Sequence, residues 1–239
     1  MEIRSKMNFV FFILMVISTG CFITTSLLKF AIAAIIFKCL SSLLFVATAV
    51  SSYKKNSSNT SFFVLMLFGL VFSLGGDVSL AFDIFILGVA SFGIGHIMYS
   101  VGYCKMTKIS LRDILIFLAI SIPTLLTISF GKFEFNGMEI PVTLYAVIIS
   151  LMVSKSLSML KFYSSSKKSV LLMISGSVLF LISDWILLFD YFYPNASQVL
   201  ILGPMNSVLY FTGQGLIALN FSYPLNNEET EINAERIAA

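Results

Sequence analysis

The sequence has one histidine, His96, and three cysteines, Cys21, Cys39 and Cys104, which lie far apart in apolar segments. A zinc site needs three or four His, Cys or carboxylate ligands brought together. Neither a three-histidine hydrolase centre nor a Cys-rich zinc site can be built from this set, so no metal is expected. The same cysteines outline no disulfide framework and read as small packing residues. No G-x-S-x-G turn occurs, which leaves an α/β-hydrolase esterase without its nucleophile. Ser73 and Ser183 have no histidine to serve them as a base. Charged residues make up only 11% of the chain, against about 25% in soluble domains. The net charge of +3 is not gathered into a basic cluster, which argues against a nucleic-acid partner.

What is present is apolar. Hydrophobic residues make up 58% of the chain, including 24 phenylalanines, and the mean hydropathy is +0.96. A soluble domain cannot bury that much apolar surface, so the class is an integral membrane protein. A helix needs about 20 apolar residues to cross the hydrocarbon core. Eight runs meet this length: Asn8–Leu28, Phe30–Ser52, Phe62–Phe82, Ile84–Tyr103, Leu111–Phe130, Pro141–Ser158, Ser169–Phe189 and Gln198–Asn220. The first is too long for a signal-peptide core and lacks a clear cleavage site, so it is expected to remain as a span. The fold class is all-α, an eight-helix transmembrane bundle forming one domain over residues 1–225. Residues 226–239 form a polar, acidic tail whose composition predicts disorder.

Charge in the connections alternates. Arg4, Lys6, Lys54, Lys55, Lys105, Lys108, Arg112, Lys161, Lys167 and Lys168 fall on one side, and only Lys29 and Lys132 on the other. The positive-inside rule then places both termini in the cytoplasm. Asn195-Ala196-Ser197 is a glycosylation sequon on the opposite side, very close to the helix ends.

Two spans carry an ionisable residue near one end. Asp77 is the sixteenth residue of the third run, in "FSLGGDVSLAF", and Asp184 is the sixteenth of the seventh, in "FLISDWILLF". The pairs Asp77/Asp184, Leu80/Leu187, Phe82/Phe189 and Asp83/Asp190 are all separated by the same interval in sequence. This predicts a four-plus-four internal repeat. It also puts both aspartates at one depth, roughly 9 Å from the non-cytoplasmic ends at about 1.5 Å per residue. Asp83 and Asp190 are then expected at the solvated interface. An intramembrane aspartate costs about 2.5–3.5 kcal/mol even on the lenient insertion scale, so a matched pair points to function. The plainer reading is packing glue between helices, with Lys38 as a partner.

Other polar residues gather around this pair. Lys38 lies at a similar depth in the second run. His96 sits near the centre of the fourth, close to Tyr99. Asn206, Tyr210 and Gln214 share one face of the eighth, a stripe about 12 Å long, and Tyr145 adds a phenol in the sixth. The segments "FKCLSSLLF" (Lys38), "FSLGGDVSLAF" (Ser73, Asp77), "ILGVASFGIGHIMY" (His96, Tyr99), "GSVLFLISDWIL" (Ser183, Asp184) and "VLYFTGQGLI" (Tyr210, Gln214) occur in this order. At these residues the chain resembles the YhhN-like lysoplasmalogenase family, with Cys39 where that family usually has proline.

The resemblance implies an eight-span enzyme that hydrolyses the vinyl-ether bond of lysoplasmalogens. The products would be a fatty aldehyde and glycerophosphocholine or glycerophosphoethanolamine. It implies Asp77 and Asp184 as the catalytic pair, no cofactor, and a lysophospholipid drawn from the membrane as substrate. For a eukaryotic chain it implies the endoplasmic-reticulum membrane, and for a bacterial one the inner membrane. Oligomeric state is left open.

The chemistry suits the residues independently. Acid hydrolysis of a vinyl ether begins with slow proton transfer to the β-carbon, which leaves an oxocarbenium ion for water to attack. Two carboxyl groups close together in low dielectric do not readily both ionise, so they would titrate as a unit. One then serves as the acid and the other as the anion that stabilises the cation or activates water. Lys38, Tyr99 or Tyr145 would meet the head group. Two other classes remain open at this point. A proton-coupled transporter or channel would use the same aspartates and His96 as a relay. A non-catalytic lipid-binding relative would hold the lipid without turnover.

Overall fold

Lipid offers no hydrogen-bond partners to a backbone, so a chain this apolar has to satisfy its own N–H and C=O groups within helices. The computed structural model of the protein describes residues 2–53, 59–163, 166–195 and 199–225. It contains α1 (Glu2–Leu27), α2 (Ala31–Ser52), α3 (Thr60–Ala81), α4 (Phe85–Met106), α5 (Leu111–Phe130), α6 (Glu139–Ser158), α7 (Lys167–Phe192) and α8 (Leu202–Leu219). The order matches the eight apolar runs, and the protein is a polytopic helical bundle. Lys54, Lys55, the sequon residues Ala196 and Ser197, and the tail from Asn226 lie outside the described residues.

Short connections make antiparallel neighbours. The α1–α2 and α3–α4 turns pass through Lys29 (φ 60°) and Asp83 (φ 58°), each in the left-handed conformation that reverses the chain in a few residues. Among the described residues, seven helices are long and apolar enough to cross a membrane. The exception is α8, whose hydropathy is lowered by Asn206, Tyr210 and Gln214. Tyr210 and Gln214 are buried in the interior, where a polar stripe finds partners that lipid cannot provide.

The packing is ordered as a ring. Each helix of the series α2, α3, α4, α6, α7, α8 packs on the next, and α8 closes back on α2. Helix α1 lies outside on α2 and α8, and α5 lies outside on α6. Advancing every label by four maps this ring onto itself, which is the arrangement a four-plus-four repeat requires. It places α3 and α7, and with them Asp77 and Asp184, at equivalent positions across the ring.

Close approaches follow the same pattern. A Cβ on Gly176 would stand 2.6 Å from the Gly213 carbonyl oxygen, so α7 and α8 cross backbone to backbone there. On the other side, a Cβ on Gly95 would stand 3.0 Å from the carbonyl oxygen of Gly69. Gly69 precedes Gly176 by the interval that separates Asp77 from Asp184. Small residues are how membrane helices come this close.

The two halves differ at the ends of α3 and α7. Helix α3 stops at Ala81, four residues after Asp77, whereas α7 runs on to Phe192, eight after Asp184. Asp83 therefore sits in a turn, and Asp190 stays on a helix.

Candidate functional site

At the end of the bundle that carries the α1–α2 and α3–α4 turns, the ring encloses a cavity of about 250 Å³. Asp77 from α3 and Asp184 from α7 both line it, and Lys38 from α2, Asp190 from α7, and Asn206, Ser207 and Tyr210 from α8 add to its polar wall. Its apolar wall includes Phe22 and Leu27 of α1, Leu80 and Leu187. Phe92, Phe180 and Tyr210 meet edge to face beneath it, with ring centroids 5.1–6.2 Å apart. This aromatic layer separates the cavity from the packed centre of the bundle.

Asp77 is 2% exposed. Ser42 and Tyr210 each donate a hydrogen bond to its Oδ2, both at 2.6 Å. Among the described residues its Oδ1 has no partner, which leaves that oxygen for whatever enters the cavity. Two hydroxyl donors on one oxygen are a strong setting for a carboxylate, because hydrogen bonds to charged groups exceed neutral ones.

Asp184 is held differently. Its Oδ2 is 2.5 Å from Tyr145 Oη, and Tyr145 Oη is 2.9 Å from His96 Nε2. On the far side of the ring, His96 Nδ1 is 3.2 Å from Met152 Sδ. His96 is fully buried and packs on the Phe180 ring at 4.5 Å. Its Nε2 is 3.9 Å from Asp184 Oδ2, so Tyr145 mediates between them. The two aspartates share the cavity, but no hydrogen bond joins them, and each is anchored by its own partners.

The remaining expected residues divide into two groups. Lys38 lines the cavity half-buried, with its Nζ 5.9 Å from the Phe22 ring centroid. No ion pair ties it to Asp77 among the described residues; the hydrogen bonds that tie the two aspartates to neighbouring helices come from Ser42, Tyr210 and Tyr145 instead, so joining helices is part of what both do. Ser73, Tyr99 and Gln214 form a second buried cluster, one helical turn deeper than Asp77 and Tyr210. Tyr99 donates to Gln214 Oε1 at 2.8 Å, and Gln214 Nε2 donates to Ser73 Oγ at 2.9 Å. None of the three lines the cavity; they fix α3, α4 and α8 beneath it. Ser183 is buried beside Asp184, and its carbonyl accepts from Asn206 Nδ2 at 2.8 Å.

Asp190, half-buried near the end of α7, lines the cavity together with Tyr191. Ser42 and Met152 were not singled out in the sequence. Ser42 lies one turn after Lys38, a usable signal. A methionine in a helix gives none. A further buried pair escaped notice: Lys155 Nζ is 3.2 Å from Asp113 Oδ2 and donates to the Lys108 carbonyl at 2.7 Å. It ties α6 to the start of α5, away from the cavity. Among the described residues no group of three His, Cys, Asp or Glu side chains is placed to hold a metal ion.

The YhhN family model matches residues 33–221, from the first turn of α2 to the end of α8, and so includes both aspartates. No curated protein and no solved structure matches the chain.

Proposed function

The chain belongs to the YhhN family, and from that premise we propose that it is a lysoplasmalogenase, hydrolysing the vinyl-ether bond of a lysophospholipid by acid catalysis without a metal. The observation that carries the reading is that Asp77 and Asp184, far apart in sequence, line one cavity inside the membrane domain.

Vinyl-ether hydrolysis needs a proton donor, a nearby anion and a water. A cavity with two carboxyls on its wall can supply the first two and admit the third. Its volume of about 250 Å³ falls below the roughly 300–1,000 Å³ of pockets that enclose a whole small ligand. It therefore suits the reacting end of a lipid, whose long chain would pass out between the helices into the bilayer. Lys38 on the cavity wall is the cation for the substrate phosphate. Asp190 and Tyr191 stand near the same mouth, where an ammonium head group would lie.

The test is release of fatty aldehyde from lysoplasmalogen by the purified protein, with and without a chelator. Aldehyde release unchanged by the chelator supports the reading. No aldehyde, or activity lost with metal removal, rejects it. Proton-coupled transport predicts instead a pH-driven flux in liposomes that Asp77→Asn abolishes, with lipid left intact. The aromatic layer of Phe92, Phe180 and Tyr210 beneath the cavity weighs against a continuous path.

A further inference from the structure

We propose that Asp184 is the proton donor and Asp77 the standing carboxylate, with His96 and Tyr145 as positioning residues that keep the proton on Asp184; this assignment rests on the lysoplasmalogenase reading.

Hydrogens can be counted along the chain of contacts that ends on Asp184. A thioether sulfur has no proton and can only accept. The 3.2 Å contact between His96 Nδ1 and Met152 Sδ therefore places a proton on Nδ1. A doubly protonated ring would be a buried cation whose nearest carboxylate oxygen, on Asp184, is 3.9 Å away, beyond hydrogen-bond range. That state would bury two charges with no direct hydrogen bond between them, a desolvation cost that an attraction across 3.9 Å does not repay. In the neutral ring Nε2 is then the acceptor. Its one neighbour in range is Tyr145 Oη at 2.9 Å, so the single Tyr145 proton points to His96. The contact between Tyr145 Oη and Asp184 Oδ2, at 2.5 Å, still needs a proton between the two oxygens. Only Asp184 can supply it, as a carboxylic acid O–H.

Asp77 gives the opposite count. Tyr210 has one hydroxyl proton, and Asp77 Oδ2 is its hydrogen-bond partner. Ser42 Oγ stands 2.6 Å from the same oxygen and 3.1 Å from the Lys38 carbonyl oxygen, and the shorter contact takes its one proton. With the Tyr210 and Ser42 protons both directed at Oδ2, that oxygen carries none of its own. The two halves of the chain differ in the same sense. Lys38 and Tyr145 are separated by the interval that separates the two aspartates, and in that register Ser42 corresponds to Ile149. Helix α2 offers Asp77 a cation and a hydroxyl, Lys38 and Ser42, whereas α6 offers Asp184 the phenol of Tyr145, which is tied in turn to His96 of α4. One duplicated position has thereby become two unlike groups.

The cycle closes on these two states. The Asp184 O–H bond breaks as the vinyl π pair forms a C–H bond at the β-carbon, leaving an oxocarbenium ion and an Asp184 carboxylate. Asp77 takes a proton from water as the water oxygen bonds to the cationic carbon, giving a hemiacetal. The hemiacetal O–H returns its proton to Asp184 as the aldehyde C=O forms. The C–O bond to the glycerol breaks, and the departing oxygen takes the proton held on Asp77. Both aspartates end as they began.

Infrared difference spectra of the full-length protein at neutral pH, recorded across hydrogen–deuterium exchange, read this directly. The wild type is expected to show the carbonyl stretch of a protonated carboxyl. The band should persist in Asp77→Asn and vanish in Asp184→Asn. In Tyr145→Phe it should move to higher frequency, since the acid loses its acceptor. A band that survives in Asp184→Asn, vanishes in Asp77→Asn, or is absent from the wild type overturns the assignment. If Asp184→Asn does not fold, the Tyr145→Phe shift decides alone, and an unmoved band overturns the proposal. These spectra require no turnover, so aldehyde release by the same wild-type sample separates failure of the assignment from failure of the proposed activity.

Discussion

At the scale of single residues, a carboxyl inside a membrane helix persists only where neighbours offset its desolvation, and those neighbours say what it can do. Asp77 has two hydroxyl donors, and Asp184 has a phenol backed by a histidine. Because a positioned acid or base contributes about 10²–10⁴-fold, Asp77→Asn and Asp184→Asn are each expected to lower kcat for aldehyde release by that order. Circular dichroism of the same samples should show the helical content unchanged. Lys38 has a different task. Lys38→Ala is expected to raise KM far more than it lowers kcat, as removal of a contact equal in ground and transition states does; the opposite split would remove it from phosphate binding. Asp77, Asp184, Lys38 and Tyr210 were legible in the sequence, because an ionisable or hydrogen-bonding side chain in an apolar run stands out. Ser42 and Met152 were not, since serine and methionine are ordinary in membrane helices and acquire a role only from what they face.

At the scale of helices, packing depends on a few close contacts. The Gly176 and Gly213 backbones touch where α7 crosses α8. Gly176→Val would push its Cβ against the Gly213 carbonyl and force the helices apart. Overpacking of this kind costs about 1–3 kcal/mol, to be seen as a lower Tm in detergent together with lost activity, since α7 and α8 carry Asp184 and Tyr210. Helix α5 depends on another contact. It packs chiefly on α6, and the buried pair Asp113–Lys155 joins the two. Lys155→Met leaves a buried carboxylate unpaired, which costs about 3–5 kcal/mol. The double variant Asp113→Leu with Lys155→Met is expected to recover only part of that Tm loss, because Asp113 also caps α5 by accepting from the Ser110 N–H and hydroxyl. Helix positions were legible within a few residues, because an apolar run of membrane length has few alternatives. The end of α7 was not, because the segment "DYFYPN" can continue a helix or leave it, and the packing of Phe192 on Phe85 and Phe135 is a contact between distant segments.

At the scale of the whole molecule, the ring of six helices with α1 and α5 outside is the framework that brings two distant segments to one chamber. The basic residues predict that both termini face the same side of the membrane. Reporter fusions or cysteine labelling at each end should find both in the cytoplasm; opposite locations would contradict an even number of spans.

The sequence alone determined that this chain lives in lipid, that it crosses as helices, and that two aspartates sit in matching registers. Each of these follows from local hydropathy and helical periodicity, which act over one or two turns. Only the tertiary structure decided that Asp77 and Asp184 face one cavity, that Ser73, Tyr99 and Gln214 lie beneath it, and that a histidine reaches Asp184 through Tyr145. Those facts depend on which helices are neighbours and how each is rotated about its axis. Both are set by side-chain fit between segments far apart in the chain, which no local pattern records.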